Sequence, residues 1–326
     1  MVIDGGLRVF FRGFQGRWVF GRLSAEAYYL GGWFARSAMG EGFVRVQGVR
    51  VHYLEAGRDG AADLLLIHGL GGSIESWSEV FDRLAEMFHV VAVDLPGYGL
   101  SDKPDAPYTM EYFGDILCSF IDALGLDRVI LVGHSMGGAV AIKTYSRCEG
   151  RISGLILIDC AGVSGAAAEV IRRYMGDGWT LESLRRLYLE RIIGRLGELD
   201  EEKLRRTWIE RRGSPSLNAY LRALESLSKP IPEEEIRGIR APTLILWGSD
   251  DGLTPLEDGV RLNRLIAGSR LVVIEGAGHS PHSEAPDRVV REIANFVFGV
   301  LGYGYPEDHR EDSSEREGGR GRPESR

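Results

Sequence analysis

The run Val129-Ile130-Leu131-Val132-Gly133-His134-Ser135-Met136-Gly137-Gly138-Ala139-Val140 reads as strand, tight turn and helix in immediate succession. β-Branched apolar residues favour a buried strand, glycines punctuate it, and residues 136–145 have the small and aliphatic composition of a helix start. In such a turn the central residue is held in a strained conformation. Glycine at 133 and 137 removes the Cβ atoms that would collide with the neighbouring strand and helix. Ser135 is thereby lifted clear of the sheet, beside unpaired amides at the helix start that can stabilise a developing oxyanion. A G-x-S-x-G string recurs by chance in a chain with 44 glycines, so the strand before it and the helix after it give the match its meaning.

Outward from this turn the chain alternates. Residues 64–67, 90–93, 129–132, 155–158, 244–246 and 271–274 are continuous apolar runs, the pattern of strands covered on both faces. Segments 77–87, 110–124, 136–145, 257–266 and 286–300 carry helical patterns between or after them. Upstream, 43–46 and 49–54 alternate apolar with polar around Gly48, as a hairpin of half-buried strands does. The expectation is an α/β fold: a mostly parallel, doubly wound sheet of eight strands flanked by helices, formed by residues 43–162 and 237–302. Between 163 and 236 no strand-like run occurs, and charged and aliphatic residues recur at helical spacing. This predicts a helical cap inserted after the sixth strand, over the carboxyl ends of the strands where open α/β sheets bind ligands. Trp179, Leu184, Leu187, Tyr188, Trp208 and Tyr220 supply its large apolar surface, either to line a site or to pack the cap on the core.

The two ends differ from this body. In the extension 1–42, Leu7, Phe10, Phe11, Phe14 and Trp18 recur at helical spacing among Arg8, Arg12, Arg17 and Arg22. That pattern suits an amphipathic helix on a membrane surface or a helix packed on the core. Gly13, Gly16 and Gly21, each costing a helix about 1 kcal/mol relative to Ala, favour the packed form. No secretory signal is legible there. Residues 303–326 carry too little apolar surface to repay ordering and are expected to be disordered.

Composition narrows the function classes. With 326 residues, 44% hydrophobic and 26% charged, the chain can bury one enlarged soluble core. A net charge of −8 offers no basic field for nucleic acid, and no apolar run is long enough to span a bilayer. Cys118, Cys148 and Cys160 are odd in number, at spacings that fit neither a zinc site nor a disulfide framework. They read as free thiols in a reducing, cytoplasmic setting.

His68-Gly69-Leu70-Gly71-Gly72-Ser73, Asp94-Leu95-Pro96-Gly97-Tyr98-Gly99-Leu100-Ser101-Asp102, the Ser135 turn, Trp247-Gly248-Ser249-Asp250-Asp251 and Gly276-Ala277-Gly278-His279 each follow a strand-like run. Together they resemble the α/β-hydrolases of the serine esterase, lipase and perhydrolase branch, over roughly residues 43–302. The resemblance implies a catalytic triad in the order Ser135, Asp251, His279. His279 matches the family histidine, which follows a small-residue turn after the last strand, whereas His282 does not. His52, His68, His89 and His134 have structural readings as strand, loop and elbow neighbours. Gly248, Asp251 and Pro255 satisfy the family spacing for the acid, which favours Asp251; Asp250 beside it and Asp159 after the sixth strand are the alternatives. Asp94 reads as a loop-ordering residue. The backbone N–H groups of Met136 and Leu70 would form the oxyanion hole.

Such a triad implies hydrolysis of a small or medium-sized, apolar carboxylic ester through an acyl-enzyme, without a metal or cofactor. Serine at 135 argues against the epoxide and halide chemistry of relatives with an aspartate nucleophile. Carbon–carbon bond hydrolysis and perhydrolysis use the same triad and stay open, although the glycine loop of carbon–carbon hydrolases usually carries a proline that Gly69-Leu70-Gly71-Gly72 lacks. A non-catalytic ligand receptor on the same fold is the rival from another class.

Overall fold

The apolar runs pair into one eight-stranded sheet in a computed structural model that describes residues 8–12, 18–22, 40–58, 60–176, 178, 180–212 and 215–304. Strands β1 (Arg8–Arg12) and β2 (Trp18–Arg22) form an antiparallel hairpin outside that sheet. The sheet consists of β3 (Gly40–Val46), β4 (Val49–Gly57), β5 (Asp63–Ile67), β6 (His89–Val93), β7 (Val129–His134), β8 (Ile152–Ile158), β9 (Thr243–Gly248) and β10 (Arg270–Ile274). Its order is β10-β9-β8-β7-β5-β6-β4-β3. The β3–β4 and β4–β6 pairings are antiparallel and the others parallel.

Helices α1 (Phe81–Ala85), α2 (Met110–Leu124) and α3 (Met136–Cys148) precede β8. Between β8 and β9 lie α4 (Ala166–Met175), α5 (Leu181–Leu187), a π-helical turn (Tyr188–Ile192), α6 (Glu201–Arg212), α7 (Ser216–Leu227) and α8 (Glu233–Arg237). Helix α9 (Leu256–Leu265) precedes β10, and α10 (Pro281–Glu284) and α11 (Pro286–Gly299) follow it.

The continuous apolar runs have a direct cause. Leu65 and Ile67 of β5, Val91 and Val93 of β6, and Leu155 and Leu157 of β8 belong to one buried cluster with α2 and α3. Their alternates Leu64, Leu66, Val90, Ala92, Ile156 and Ile158 belong to a second cluster with α1 and α11. Each side chain so buried contributes roughly 1.5–3 kcal/mol, which favours strands apolar on both faces. Helix α2 shows the complementary pattern. Thr109 caps it by accepting the Tyr112 N–H at 3.2 Å, and Phe113, Ile116, Leu117, Phe120 and Ile121 make its buried stripe.

Winding reverses in the middle of the sheet. From β5 the chain crosses to β6 on one side and then to β7 on the other, so the loops leaving β5 and β7 flank the crevice where doubly wound sheets hold ligands.

Three expectations need correction. The aromatic and arginine pattern near the N-terminus is a hairpin, not a helix: Val9-Phe10-Phe11 and Trp18-Val19-Phe20 are runs of strand-favouring residues, and the interspersed glycines weaken a helix. The rest of residues 1–39, like 305–326, lies outside the described residues. Cys118 and Cys148 are not free thiols but a disulfide between α2 and the last residue of α3, their Cα atoms 6.0 Å apart. Helix packing, not a spacing rule, brings them together, and with that the cysteine argument for a reducing compartment falls. Cys160 is a free, buried thiol. The segment 77–87 is a short 3-10 turn (Ile74–Trp77) followed by α1 rather than one helix. Among the described residues no helix is long and apolar enough to cross a membrane.

Candidate active site

Ser135 stands between β7 and α3 with φ 53° and ψ −117°, a strained conformation for a residue with a side chain. The turn can close this tightly because of its glycines. A Cβ on Gly133 would lie 2.3 Å from the Gly137 carbonyl oxygen, and one on Gly137 would lie 2.1 Å from that of Ile67. The Ser135 N–H donates to Ile158 O at 2.9 Å, and its own carbonyl accepts from Gly138 and Ala161 at 2.9 and 3.0 Å. Backbone bonds to three elements therefore hold the residue before its side chain is considered.

The β10 end brings His279 to it. His279 Nε2 lies 2.9 Å from Ser135 Oγ, and Nδ1 lies 2.8 Å from Asp251 Oδ2. Asp251 also accepts from the N–H groups of Leu253 and Thr254 at 2.8 and 2.9 Å and from the Thr254 hydroxyl. A carboxylate fixed in this way selects the tautomer with the proton on Nδ1, which leaves Nε2 bare to accept the serine proton. Asp250 turns away to Arg195 at 2.6 Å, whose guanidinium lowers its pKa.

The loop after β5 closes the other side. A Cβ on Gly69 would lie 3.2 Å from Ser135 Cβ, which places the Gly69–Leu70 backbone against the serine. His68 orders that loop: Nδ1 bonds to Gly69 O at 2.8 Å, and Nε2 accepts the Leu95 N–H at 3.1 Å. Burial lowers its pKa, so the ring is neutral and donates through Nδ1. Asp94 ties the next loop, accepting from His52, Ile74 N and Leu100 N within 2.7–2.9 Å.

Residues 64–292 match the alpha/beta hydrolase family. The chain belongs to that family. Among its relatives is the 2-hydroxy-6-oxo-2,4-heptadienoate hydrolase of Pseudomonas putida, 31% identical over 72% of this chain and 88% of that one. A 2-hydroxy-6-oxo-6-(2'-aminophenyl)hexa-2,4-dienoic acid hydrolase of Metapseudomonas resinovorans is 29% identical over 81% of this chain and 92% of its own length. Among solved structures, a bacterial membrane phospholipase A superposes with a TM-score of 0.74 and 29% identity over 85% of this chain and 91% of that one.

In this hydrolase Asp159 stands close to the triad without joining it. It is wholly buried, and its Oδ1 accepts the Gly248 N–H at 2.9 Å. Burial and the neighbouring Asp251 charge push its pKa well up, which disfavours the charged form, and its bond runs to the Gly248 N–H rather than to the His279 ring. Donor atoms of His134, Asp159 and His279 approach within 4.8 Å of one another. His134 Nε2 donates to the His279 carbonyl at 2.7 Å, and both His279 nitrogens are bonded, to Ser135 and Asp251. Only His134 and His279 are joined, through that carbonyl, and Asp159 bonds instead to the Gly248 N–H.

Sequence reasoning missed the groups that brace the hydrolase's catalytic loops. The Arg191 carbonyl accepts from Gly252 N at 3.0 Å and the Ile192 carbonyl from His279 N at 2.6 Å. Glu284 Oε2 accepts from Gly194 N and Gly278 N, each at 3.0 Å. The backbones meet so closely that a Cβ on Gly194 would lie 2.2 Å from Gly278 N. Thr254 is the one member a motif could have flagged, three residues after Asp251 at the start of the turn that the carboxylate caps.

A cavity of about 510 Å³ opens over Ser135. Ile171 of α4, Leu187 of α5, Leu227 of α7 and Leu253 line it, with Tyr188 and Tyr220. Leu184 is instead fully buried and Trp208 packs against the same core cluster; Trp179 lies outside the described residues.

Proposed function

We propose that this hydrolase cleaves carboxylic esters, with Ser135 as nucleophile, His279 as base and acid, Asp251 as the orienting carboxylate, and the Leu70 and Met136 amides as oxyanion donors. The observation that carries the reading is the unbroken chain Ser135 Oγ, His279 Nε2, His279 Nδ1, Asp251 Oδ2 at 2.9 and 2.8 Å, on a serine in a strained turn. His279 takes the Ser135 proton as Oγ adds to the ester carbonyl, then returns it to the departing alkoxide. Water repeats the sequence on the acyl-serine. The aliphatic part of the cavity lining, Ile171, Leu187, Leu227 and Leu253, suits an acyl or alkyl chain.

The names of the Pseudomonas and Metapseudomonas relatives favour a second reading, hydrolysis of a carbon–carbon bond in a dienoate by the same residues. A carbon leaving group must be protonated as it departs and leaves less readily than an alkoxide. A panel of p-nitrophenyl esters of increasing acyl length, run beside a 2-hydroxy-6-oxo-dienoate, separates the readings. Ester turnover that exceeds dienoate cleavage and disappears in Ser135→Ala supports the first. Dienoate cleavage exceeding ester turnover by orders of magnitude replaces it with the second, and no turnover of either overturns both.

A further inference from the structure

The cavity lining is mixed, and one wall of it carries two cationic side chains on a single helix, apart from Lys103 on the loop after β6. Lys203, Arg206 and Thr207 of α6 all line it, and their spacing of three and four residues puts them on one helical face. The facing groups come from the core: Glu75 and Ser76 of the 3-10 turn, and His282 and Ser283 of α10. Arg206 is spoken for, since its guanidinium pairs with Glu75 at 3.4 Å. Lys203 has no carboxylate within salt-bridge distance among the described residues, although it is partly buried. Its charge reaches across the wall. Burial pushes His282 down to about 3, and Lys203 is the next contributor, followed by His279. The imidazole is therefore neutral and offers Lys203 no counter-charge, and Glu75 on the same lining is paired with Arg206. A half-buried ammonium with no carboxylate partner among the described residues is placed to receive an incoming anion.

We propose that Lys203 binds an anionic oxyacid group of the substrate, a carboxylate or a phosphodiester, while the scissile carbonyl sits at Ser135. The substrate class is then an ester carrying a negative charge on the part of the molecule that reaches α6. The Ser76 and Ser283 hydroxyls, on the same lining, can complete the anion's shell. This rests on the ester reading above and narrows it.

The test compares matched p-nitrophenyl esters, a neutral heptanoate and the monoanionic adipate half-ester, through the ratio of their kcat/KM values. The wild-type ratio should favour the anion by about tenfold, the scale of one charge-assisted hydrogen bond. Lys203→Gln should bring it near unity, chiefly through KM for the adipate, Lys203→Arg should keep most of it, and Lys203→Glu should invert it. Glu75→Gln, which releases Arg206 from its pair, should raise the ratio. Increasing salt should lower it in the wild type and leave Lys203→Gln unmoved. Short-chain phosphatidylglycerol assayed beside the adipate ester tells a lipid phosphodiester from a free carboxylate, since the source preferred by Lys203 is the one whose turnover falls more in Lys203→Gln. Turnover of both p-nitrophenyl esters at a ratio unaffected by Lys203→Gln and Lys203→Glu overturns this inference and spares the ester reading. Turnover of neither overturns the ester reading itself.

Discussion

The sheet rim and the helices above it are held by different kinds of bond. At the rim, Ser135, Asp251 and His279 sit where backbone groups of neighbouring elements converge: Ile158 O on the serine amide, Leu253 and Thr254 N–H on the aspartate, Ile192 O on the histidine amide. On α6, Lys203, Arg206 and Thr207 share a helix face, and Arg206 ties that face to the core through its side-chain pair with Glu75. Backbone-built geometry tolerates little change, while a side-chain-built wall can be rewritten residue by residue. On the proposed reading, chemistry belongs to the first kind of construction and selectivity to the second.

The contrast fails at once if the rim can lose a member cheaply. Ser135→Ala and His279→Ala should each lower kcat/KM on a p-nitrophenyl ester by about 10⁴-fold or more, with thermal unfolding little changed. Asp251→Asn should cost about 10⁴ in kcat, and Asp159→Asn far less, because Asp251 rather than Asp159 bonds the His279 ring. Equal losses at the two positions would move the orienting role to β8. On the cap, Leu187→Ala should shift the ratio of kcat/KM between butyrate and octanoate esters by about tenfold and lower unfolding stability by about 3 kcal/mol. A uniform loss on every chain length would make the cap a cover and return selectivity to the rim.

The smallest effect sharpens the contrast from the far side of the sheet. Burial opposes charging of His52, but Asp94 and Glu41, at 2.7 and 3.0 Å, outweigh it and raise its pKa to about 9. His89 is raised to about 9 in the same way, by Asp63 and Glu55 against burial. A proton held more tightly by the folded chain stabilises it fully below about pH 6.5, the ordinary histidine value, and this stabilisation is lost as pH rises through 9. Tm should therefore fall between pH 7 and 9, less steeply in His52→Gln. An identical slope in that variant would show that His52 is not charged in the fold.

What was legible in the sequence follows the same division. Backbone requirements leave marks: glycines at 133 and 137, apolar runs where two clusters sandwich a strand, and the carboxylate three residues beyond Gly248. These sufficed to order the strands and to name Ser135, Asp251 and His279, which the fold brings together. Carbonyls leave none, because any residue has one, so the support from Arg191 and Ile192 was invisible. The Cys118–Cys148 pairing depends on how α2 lies against α3, which no spacing encodes. The N-terminal hairpin was misread because aromatic and arginine residues at helical intervals also occur at strand intervals when the runs are five residues long.

The bond from His279 N to Ile192 O has a kinetic meaning. A cap that swung open as one rigid lid would carry the Arg191 and Ile192 carbonyls away from Gly252 and His279, disarming the base and loosening the acid loop at every cycle. The stretch from Arg191 to Gly194 is therefore the part of the insertion that backbone bonds tie to the loops carrying Asp251 and His279. An opening that left this stretch in place would let product leave with Ser135, His279 and Asp251 still assembled.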